Sequence, residues 1–381
     1  MGRMTVMRFL REQWVTIPMP TGDARGKSIV VVGANGGLGL EAAKHLAMLS
    51  PEDLLLTSRD MDRAKDSSKV IEDANISNQN IEWGRLDLSS FDSVRTFANR
   101  FGNKKINCLL ANAGIATRKY VQTEDGWEST YVSSSSVSFL PALDKPENSS
   151  SHGSGASAYR EISSTSTNQS VSRIAIVSSD AHYQIKSLGV LRDSPHILAF
   201  ANERKYCTAQ YVHHILVIFK LFLSHLAKSL GSIMAQRYMF SKLLVVAFIR
   251  ELAARLASPT PVVVSAVNPG LCHSRLTREA ESQIPGKWVM PTFKSVFARS
   301  TETGGLILVH ALTDPDERRF HGHYVSNCEV AEESDLLLGA DGVNLSRRIW
   351  DETIGVLEAA DPRVTQIVSQ YLRPLGQDTG A

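Results

Sequence analysis

Cysteine is scarce and scattered. Cys108, Cys207, Cys272 and Cys328 are the only four, and no two of them have CxxC spacing. They read as ordinary reduced thiols, which fits a cytoplasmic setting. Charge of one sign is missing too. The chain carries 41 Lys and Arg against 39 Asp and Glu, a net charge of +2. No global field therefore recruits nucleic acid or an anionic membrane. The opening stretch, MGRMTVMRFLREQW, lacks a long apolar core and a small-residue cleavage site, which argues against a secretory signal. It is expected to form a short amphipathic helix, with Met7, Phe9, Leu10 and Trp14 packed onto the body. The apolar stretch 211–230 is broken by Lys220, Lys228 and three histidines, too often for a membrane span. It reads as an extra amphipathic helix. Its histidines, His213, His214 and His225, lack a supporting ligand set, so no metal site is expected.

What is present is an α/β pattern. With 381 residues and 43% hydrophobic content, the chain can build one large domain or two small ones. Residues 28–33, SIVVVG, form a continuous apolar run suited to a strand buried on both faces. The run enters the turn Gly33-Ala34-Asn35-Gly36-Gly37-Leu38-Gly39, and a helical stretch follows. Strand, glycine turn and helix are the context a phosphate cradle needs, because the backbone can approach the anion and the helix presents free N–H groups. Gly33, Gly37 and Gly39 have GxxxGxG spacing, not GxGxxG. Further strands are expected over 54–56, 81–87, 107–114, 173–180, 261–270 and 322–327, with helices between them. Ser89 and Ser90 are placed to cap the helix FDSVRTFANRF. Such alternation predicts a single Rossmann domain with a doubly wound parallel sheet, whose ligands bind outside the carboxyl ends of the strands. The domain is expected over 27–372, between an N-terminal arm (1–26) and a tail (373–381). Residues 346–361 are expected to form an amphipathic helix with Ile349, Trp350, Ile354 and Leu357 on its apolar face.

Chemistry collects at the strand ends. Ser178-Ser179 closes the fifth strand. Tyr238 and Lys242 stand one helical turn apart, so their side chains share a face. A nearby ammonium favours the phenolate, so Tyr238 is expected to titrate closer to neutrality and to serve as a general acid or base. A Tyr/Lys pair of this spacing also occurs on plain helix surfaces. It gains meaning from the glycine turn and the serine that precede it. At the end of the second strand, Ser58-Arg59 favours a 2′-phosphate and hence NADP, whereas Asp60, one step on, leaves NAD open.

These residues together resemble the short-chain dehydrogenase/reductase family, in its retinol-dehydrogenase-like and fungal oxidoreductase branch. The resemblance covers about residues 27–132, 173–183 and 232–330. It rests on GxxxGxG, NAG at 112–114 and YxxxK in that order, with SRDMDRA, TEDGWES, IVSSDAH, NPGLCHS and HGHYVSNCEV as support. It implies a carbonyl–alcohol oxidoreductase using NADP, or less readily NAD, on a small or medium apolar substrate. Retinoid-like, steroid-like or fungal terpenoid and polyketide compounds of secondary metabolism fit. In that reading Ser179 holds the substrate carbonyl, Tyr238 transfers the proton, and Lys242 binds the nicotinamide ribose. Gly33, Asn35, Gly37, Leu38 and Gly39 surround the pyrophosphate, Arg59 takes the 2′-phosphate, Asp87 meets the adenine, and Asn112 lines the adenosine ribose. Pro269 and Gly270 shape the nicotinamide pocket, and Ser274 stands near the carboxamide. Trp288, Met290 and Phe293 would line the substrate side of a closing segment over 271–298.

The chain departs from the family at four places. Val32 replaces the usual threonine, and Ala111 the first asparagine of NNAG. After TEDGWEST, where the family continues into a long apolar helix, serine supplies 15 of the 40 residues over 133–172. That composition reads as disordered. The stretch displaces a relay asparagine, near Ser134, and a helix that often forms half of a homodimer interface. The link from Ser179 to Tyr238 is also stretched, at 238 − 179 = 59 residues, with an atypical insertion over 184–231. These departures define the alternative: a catalytically impaired NADP-binding protein, or an aberrant gene model with one frame-shifted segment and one retained intron.

Overall fold

The computed structural model describes residues 5–74, 80–101, 105–117, 119–135, 171–204, 233–256, 260–274, 276, 278 and 286–375. The Ser-rich expectation from residue 136 to 170, the insertion over 205–232 with its three histidines, and Cys207 lie outside the described residues.

Among the described residues the strands are β1 (Ser28–Val32), β2 (Asp53–Ser58), β3 (Asn80–Arg85), β4 (Cys108–Ala111), β5 (Ser172–Val177), β6 (Val262–Asn268), β7 (Tyr324–Ser326) and β8 (Glu329–Ala331). The helices are α1 (Val6–Gln13), α2 (Gly37–Met48), α3 (Met61–Asp73), α4 (Phe91–Asn99), α5 (Ser129–Ser135), α6 (Val190–Asp193), α7 (Ile197–Asn202), α8 (Ile233–Arg255), α9 (Gly286–Phe297), α10 (Thr301–Thr313), α11 (Gly339–Ala360) and α12 (Arg363–Tyr371). A 3₁₀ turn, Asp180–Gln184, follows β5.

The strands form one sheet in the order β3-β2-β1-β4-β5-β6-β7-β8. The first seven run parallel, and β8 returns antiparallel to β7. The expected doubly wound sheet is therefore present, with its switch point between β1 and β4. Central strands are buried on both faces, which explains why they read as unbroken apolar runs. The sequence reading missed β8. Asn327 and Cys328 both take left-handed backbone (φ 54° and 62°) in the two-residue turn, where Asn-Gly is the recognisable signal.

Helices cover both faces. On one, α8 buries Leu243 through Ile249 without a break, and Phe248 stacks on Trp350 of α11 with ring centroids 5.1 Å apart. Ile349, Trp350, Ile354 and Leu357 are buried as expected. On the other face, α10 and α2 pack side by side on the sheet, and α10 is buried from Gly304 to Thr313. Ser90 caps α4 by accepting from the Ser93 amide. Residues 190–202, in the stretch expected to be an insertion, are packed on the body. The Glu352 carboxylate accepts from the Ile197 and Leu198 amides at 2.7 and 2.8 Å, and so caps α7 from another helix.

The N-terminal arm packs as expected, but by a different face. Phe9 and Leu10 are half-buried, Met7 and Trp14 are exposed, and Gln13 is the buried residue of α1. The correction has a physical cause: polar side chains of the sheet rim hold the end of this helix.

The approach of α10 to α2 depends on small residues. A Cβ at Gly305 would stand 2.8 Å from the Cβ of Glu41 and 2.9 Å from the Ala42 amide nitrogen. Gly305→Ala is expected to destabilise the fold by about 1–3 kcal/mol through overpacking, measured as a lower urea midpoint at unchanged slope.

Candidate active site

The glycine turn starts at the carboxyl end of β1. Gly33 has φ +79°, and a Cβ there would meet the Ala113 Cβ at 2.7 Å. At Gly39 a Cβ would stand 2.2 Å from the Gly33 carbonyl oxygen and 2.6 Å from Asn112 Nδ2. Only glycine lets α2 leave the sheet this closely. The same Asn112 Nδ2 donates to the Gly33 carbonyl at 3.1 Å, joining the ends of β4 and β1 across the switch point. Gly36 and Gly37 are different: both have positive φ, and nothing lies within 4 Å of their missing Cβ atoms. The turn is therefore closed below and open above, and α2 begins without a side-chain cap. Asn35 and Leu38 stand half-buried beside it.

At the end of β2, Asp60 is engaged in the fold. Its carboxylate caps α3 by accepting from the Asp62 and Arg63 amides, and it lies 3.5 Å from the Arg63 guanidinium. Arg59 is exposed. At the end of β3, one oxygen of Asp87 accepts from the Ser89 amide at 3.0 Å and hydroxyl at 2.6 Å.

The three expected catalytic residues come together at the end of β5. The Ser179 hydroxyl stands close enough to the Tyr238 phenol to favour its ionised form. The Lys242 ammonium donates to the Val177 carbonyl at 2.8 Å and lies 5.5 Å from the centre of the Tyr238 ring. Ser178 donates to the Lys242 carbonyl at 3.3 Å. The intervening 59 residues therefore do not separate the hydroxyl from the phenol.

The electrostatics correct one expectation. Burial pushes the Tyr238 phenol up to about 12, and the Ser179 hydroxyl only partly opposes this. Burial likewise holds the Lys242 ammonium down to about 7. Tyr238 is thus not brought towards neutrality here. The ammonium sits over the ring and is bound to a carbonyl, so desolvation of both groups outweighs their attraction.

A second layer lies behind Ser179, and sequence reasoning did not assign it. The Asp180 carboxylate accepts from Asn268 Nδ2 at 2.7 Å and from the Tyr324 hydroxyl at 2.8 Å. These bonds lock β5, β6 and β7 together at their carboxyl ends. Burial, opposed by those bonds, raises Asp180 to about 6. His182, fully buried, is bonded through Nδ1 to the Ser179 carbonyl at 2.7 Å, and burial lowers it to about 4. The available signals were adjacency: Asp180 follows Ser179, and Asn268 precedes Pro269.

The Asn268 side-chain oxygen accepts from the Gly270 amide at 3.1 Å, which shapes the turn after β6. Gly270 takes φ +78°. Ser274 is held by Lys294 of α9, whose ammonium donates to the Ser274 carbonyl at 3.0 Å. Phe293 is half-buried, its ring 5.0 Å from Phe297. The side chains of Trp288 and Met290 lie outside the described residues, as does that of Ser134. Cys272 and Cys328 are buried, and burial raises both thiols to about 12. Among the described residues no helix is long and apolar enough to cross a membrane.

The KR domain family matches residues 27–144 of the chain. The short chain dehydrogenase/reductase dmxR8 of Cryptosporiopsis sp. is 32% identical over 364 residues, covering 94% of this chain and 99% of the relative. The short-chain dehydrogenase anuD of Penicillium roqueforti is 27% identical over 379 residues, covering 96% and 87%. Among solved structures, a protein of Mycobacterium paratuberculosis is 20% identical. It superposes with a TM-score of 0.56 over 89% of this chain and 96% of that one.

The buried lysine has a stability consequence. Unfolded, the ammonium keeps its proton up to the ordinary 10.5; folded, it gives the proton up near 7. Between those values the unfolded chain binds more protons, so stability rises with pH from about 7 towards 10. In Lys242→Met this rise is expected to shrink, read from urea unfolding of both proteins at pH 6, 7.5 and 9. An undiminished rise in the variant would contradict the burial argument.

Proposed function

The chain belongs to the short-chain dehydrogenase/reductase family of oxidoreductases, and on that premise we propose that it interconverts a carbonyl and an alcohol on a small or medium apolar substrate with NADP. The observation that carries the reading is the convergence of Ser179, Tyr238 and Lys242 at the end of β5. The intact set favours catalysis over the alternative of an impaired nucleotide binder. The glycine turn fits the cofactor, since its open side above Gly36 and Gly37 leaves room for a pyrophosphate next to an uncapped helix start. NADP is preferred over NAD because Asp60 is committed to capping α3, which leaves Arg59 free to meet a 2′-phosphate. Asp87 and Asn112 would stand beside the adenosine, and Pro269, Gly270 and Ser274 at the nicotinamide end.

When bound, the cofactor supplies the hydride. The protein's part is position and proton transfer. Ser179 and Tyr238 present two hydroxyls to one carbonyl oxygen, and the negative charge that develops there is met by hydrogen bonds in a dry site. A phenol pushed up to about 12 is protonated at neutral pH and ready to donate. It therefore serves the reductive direction as an acid without prior titration. Lys242 stays one turn away, where its ammonium stabilises the phenolate that forms. A small or medium ketone or aldehyde, such as a terpenoid or polyketide intermediate of secondary metabolism, suits this arrangement.

Tyr238→Phe should lower kcat for carbonyl reduction by roughly 10²–10⁴-fold while NADPH affinity stays within about threefold. Undiminished turnover would refute the assignment. Arg59→Ala should weaken NADPH about tenfold and leave NADH binding unchanged, read by fluorescence titration. An equal loss for both cofactors would remove the 2′-phosphate reading.

A further inference from the structure

Two parts of the reaction rim hang on one carboxylate oxygen. Oδ1 of Asp180 accepts both from Asn268 Nδ2 at 2.7 Å and from the Tyr324 hydroxyl at 2.8 Å. Asp180 follows Ser179 and opens the 3₁₀ turn Asp180–Gln184. That turn holds the serine in return. The Ser179 hydroxyl oxygen accepts from the Ala181 amide at 3.2 Å. The Ser179 carbonyl meets the His182 amide at 3.2 Å and His182 Nδ1 at 2.7 Å. With one lone pair taken by an amide, the hydroxyl keeps its proton for another acceptor, as the hold on a substrate carbonyl requires.

An ionised carboxylate only accepts. Facing one, Asn268 must turn its amide nitrogen towards Asp180 and its oxygen away, and that oxygen accepts from the Gly270 amide at 3.1 Å. The same nitrogen also reaches Ser326 Oγ at 3.2 Å. Three contacts leave the side chain one orientation, which holds Gly270 at φ +78° in the turn after β6. The end of α1 closes this block from outside. The Ser326 hydroxyl donates to Glu12 at 3.5 Å, and Arg299 Nε donates to the Gln13 carbonyl at 3.2 Å. Asn268, Ser326 and Tyr324 are all buried, so water competes little for these bonds.

We propose that Asp180 is a positioning residue of the reaction, tying the Ser179 hydroxyl and the Pro269–Gly270 turn to one oxygen so that substrate and nicotinamide meet in register. The inference rests on the carbonyl-reductase reading above, in which that turn shapes the nicotinamide pocket. Two different strands deliver the two parts, β5 the serine and β6 the turn. The β5–β6 ladder ends where the Ser178 amide meets the Val267 carbonyl at 2.8 Å. Just beyond that point the Asp180–Asn268 bond takes over the alignment. Hydride passes directly from a ring carbon to a carbonyl carbon, and a misplacement of about 1 Å costs such a step about 10²-fold.

The test uses the full chain with NADPH and 9,10-phenanthrenequinone, an apolar dicarbonyl. Asp180→Asn keeps an acceptor oxygen where Oδ1 stands, and its kcat should stay within about threefold of the wild type. Asp180→Ala removes that oxygen and should lower kcat about 30- to 100-fold, while the KM for NADPH moves less than about threefold. With NADPH deuterated at the transferred position, the isotope effect on kcat should grow in Asp180→Ala and not in Asp180→Asn. Asn268→Ala cuts the same link from the other strand, and keeps the test decisive should Asp180→Ala fail to fold. It should show the same split, and the double variant should be no slower than the slower single. A role in stability alone would lower the urea midpoint of both alanine variants and leave kcat per folded molecule unchanged. That result would overturn the proposal, as would an equal loss in Asp180→Asn or multiplying losses in the double variant. Absence of NADPH-dependent reduction by the wild type would overturn the underlying reading instead.

Discussion

The site depends on the junction between the end of β5 and one turn of α8. Three successive residues, the last of the strand and the two after it, meet that turn. The Val177 carbonyl takes the Lys242 ammonium, Ser178 donates to the Lys242 carbonyl, and Ser179 meets the Tyr238 phenol. Each contact alone is worth only about 1 kcal/mol, or somewhat more where an ammonium is involved. Together they set the rotation of the helix about its axis, and so decide which face of a helix buried on nearly every side turns to the strand end.

The rest of the fold serves that junction. Packing of Phe248 on Trp350 presses α8 from behind. Asp180, Asn268 and Tyr324 join three strand ends in a hydrogen-bonded block, so the serine rests on a rim with little freedom to splay. The half-satisfied alternative would be costly, because a buried carboxyl without those donors is a desolvated charge. On the far side of the sheet, α2 and α10 meet through Gly305, while Gly33 and Gly39 let the glycine turn lie close to the end of β4.

Most of this architecture was legible in the sequence because it is written in local chemistry. Apolar runs ending in Gly33, Asn112, Ser179 and Pro269 marked buried strands and their functional ends. Gly39 was readable because the requirement for a bare Cα is absolute there. Other features were not legible, for a common reason: they are created by proximity. Asp60 looked like a rival ribose ligand until α3 used it as a cap. Tyr238 and Lys242 looked like a pair that lowers a phenol's proton affinity, but desolvation depends on everything packed around them. The β7–β8 hairpin hid behind an Asn-Cys turn. Gln13 and Arg299 stand 286 residues apart, and no spacing rule connects them.

That last separation bears on how the chain is made. The helix Val6–Gln13 leaves the ribosome long before Arg299 and Gly270, the residues it packs against. Eight residues are too few to hold a helix in water alone. Its seating therefore waits on contacts nearly three hundred residues away in sequence, which makes it a long-range step of folding.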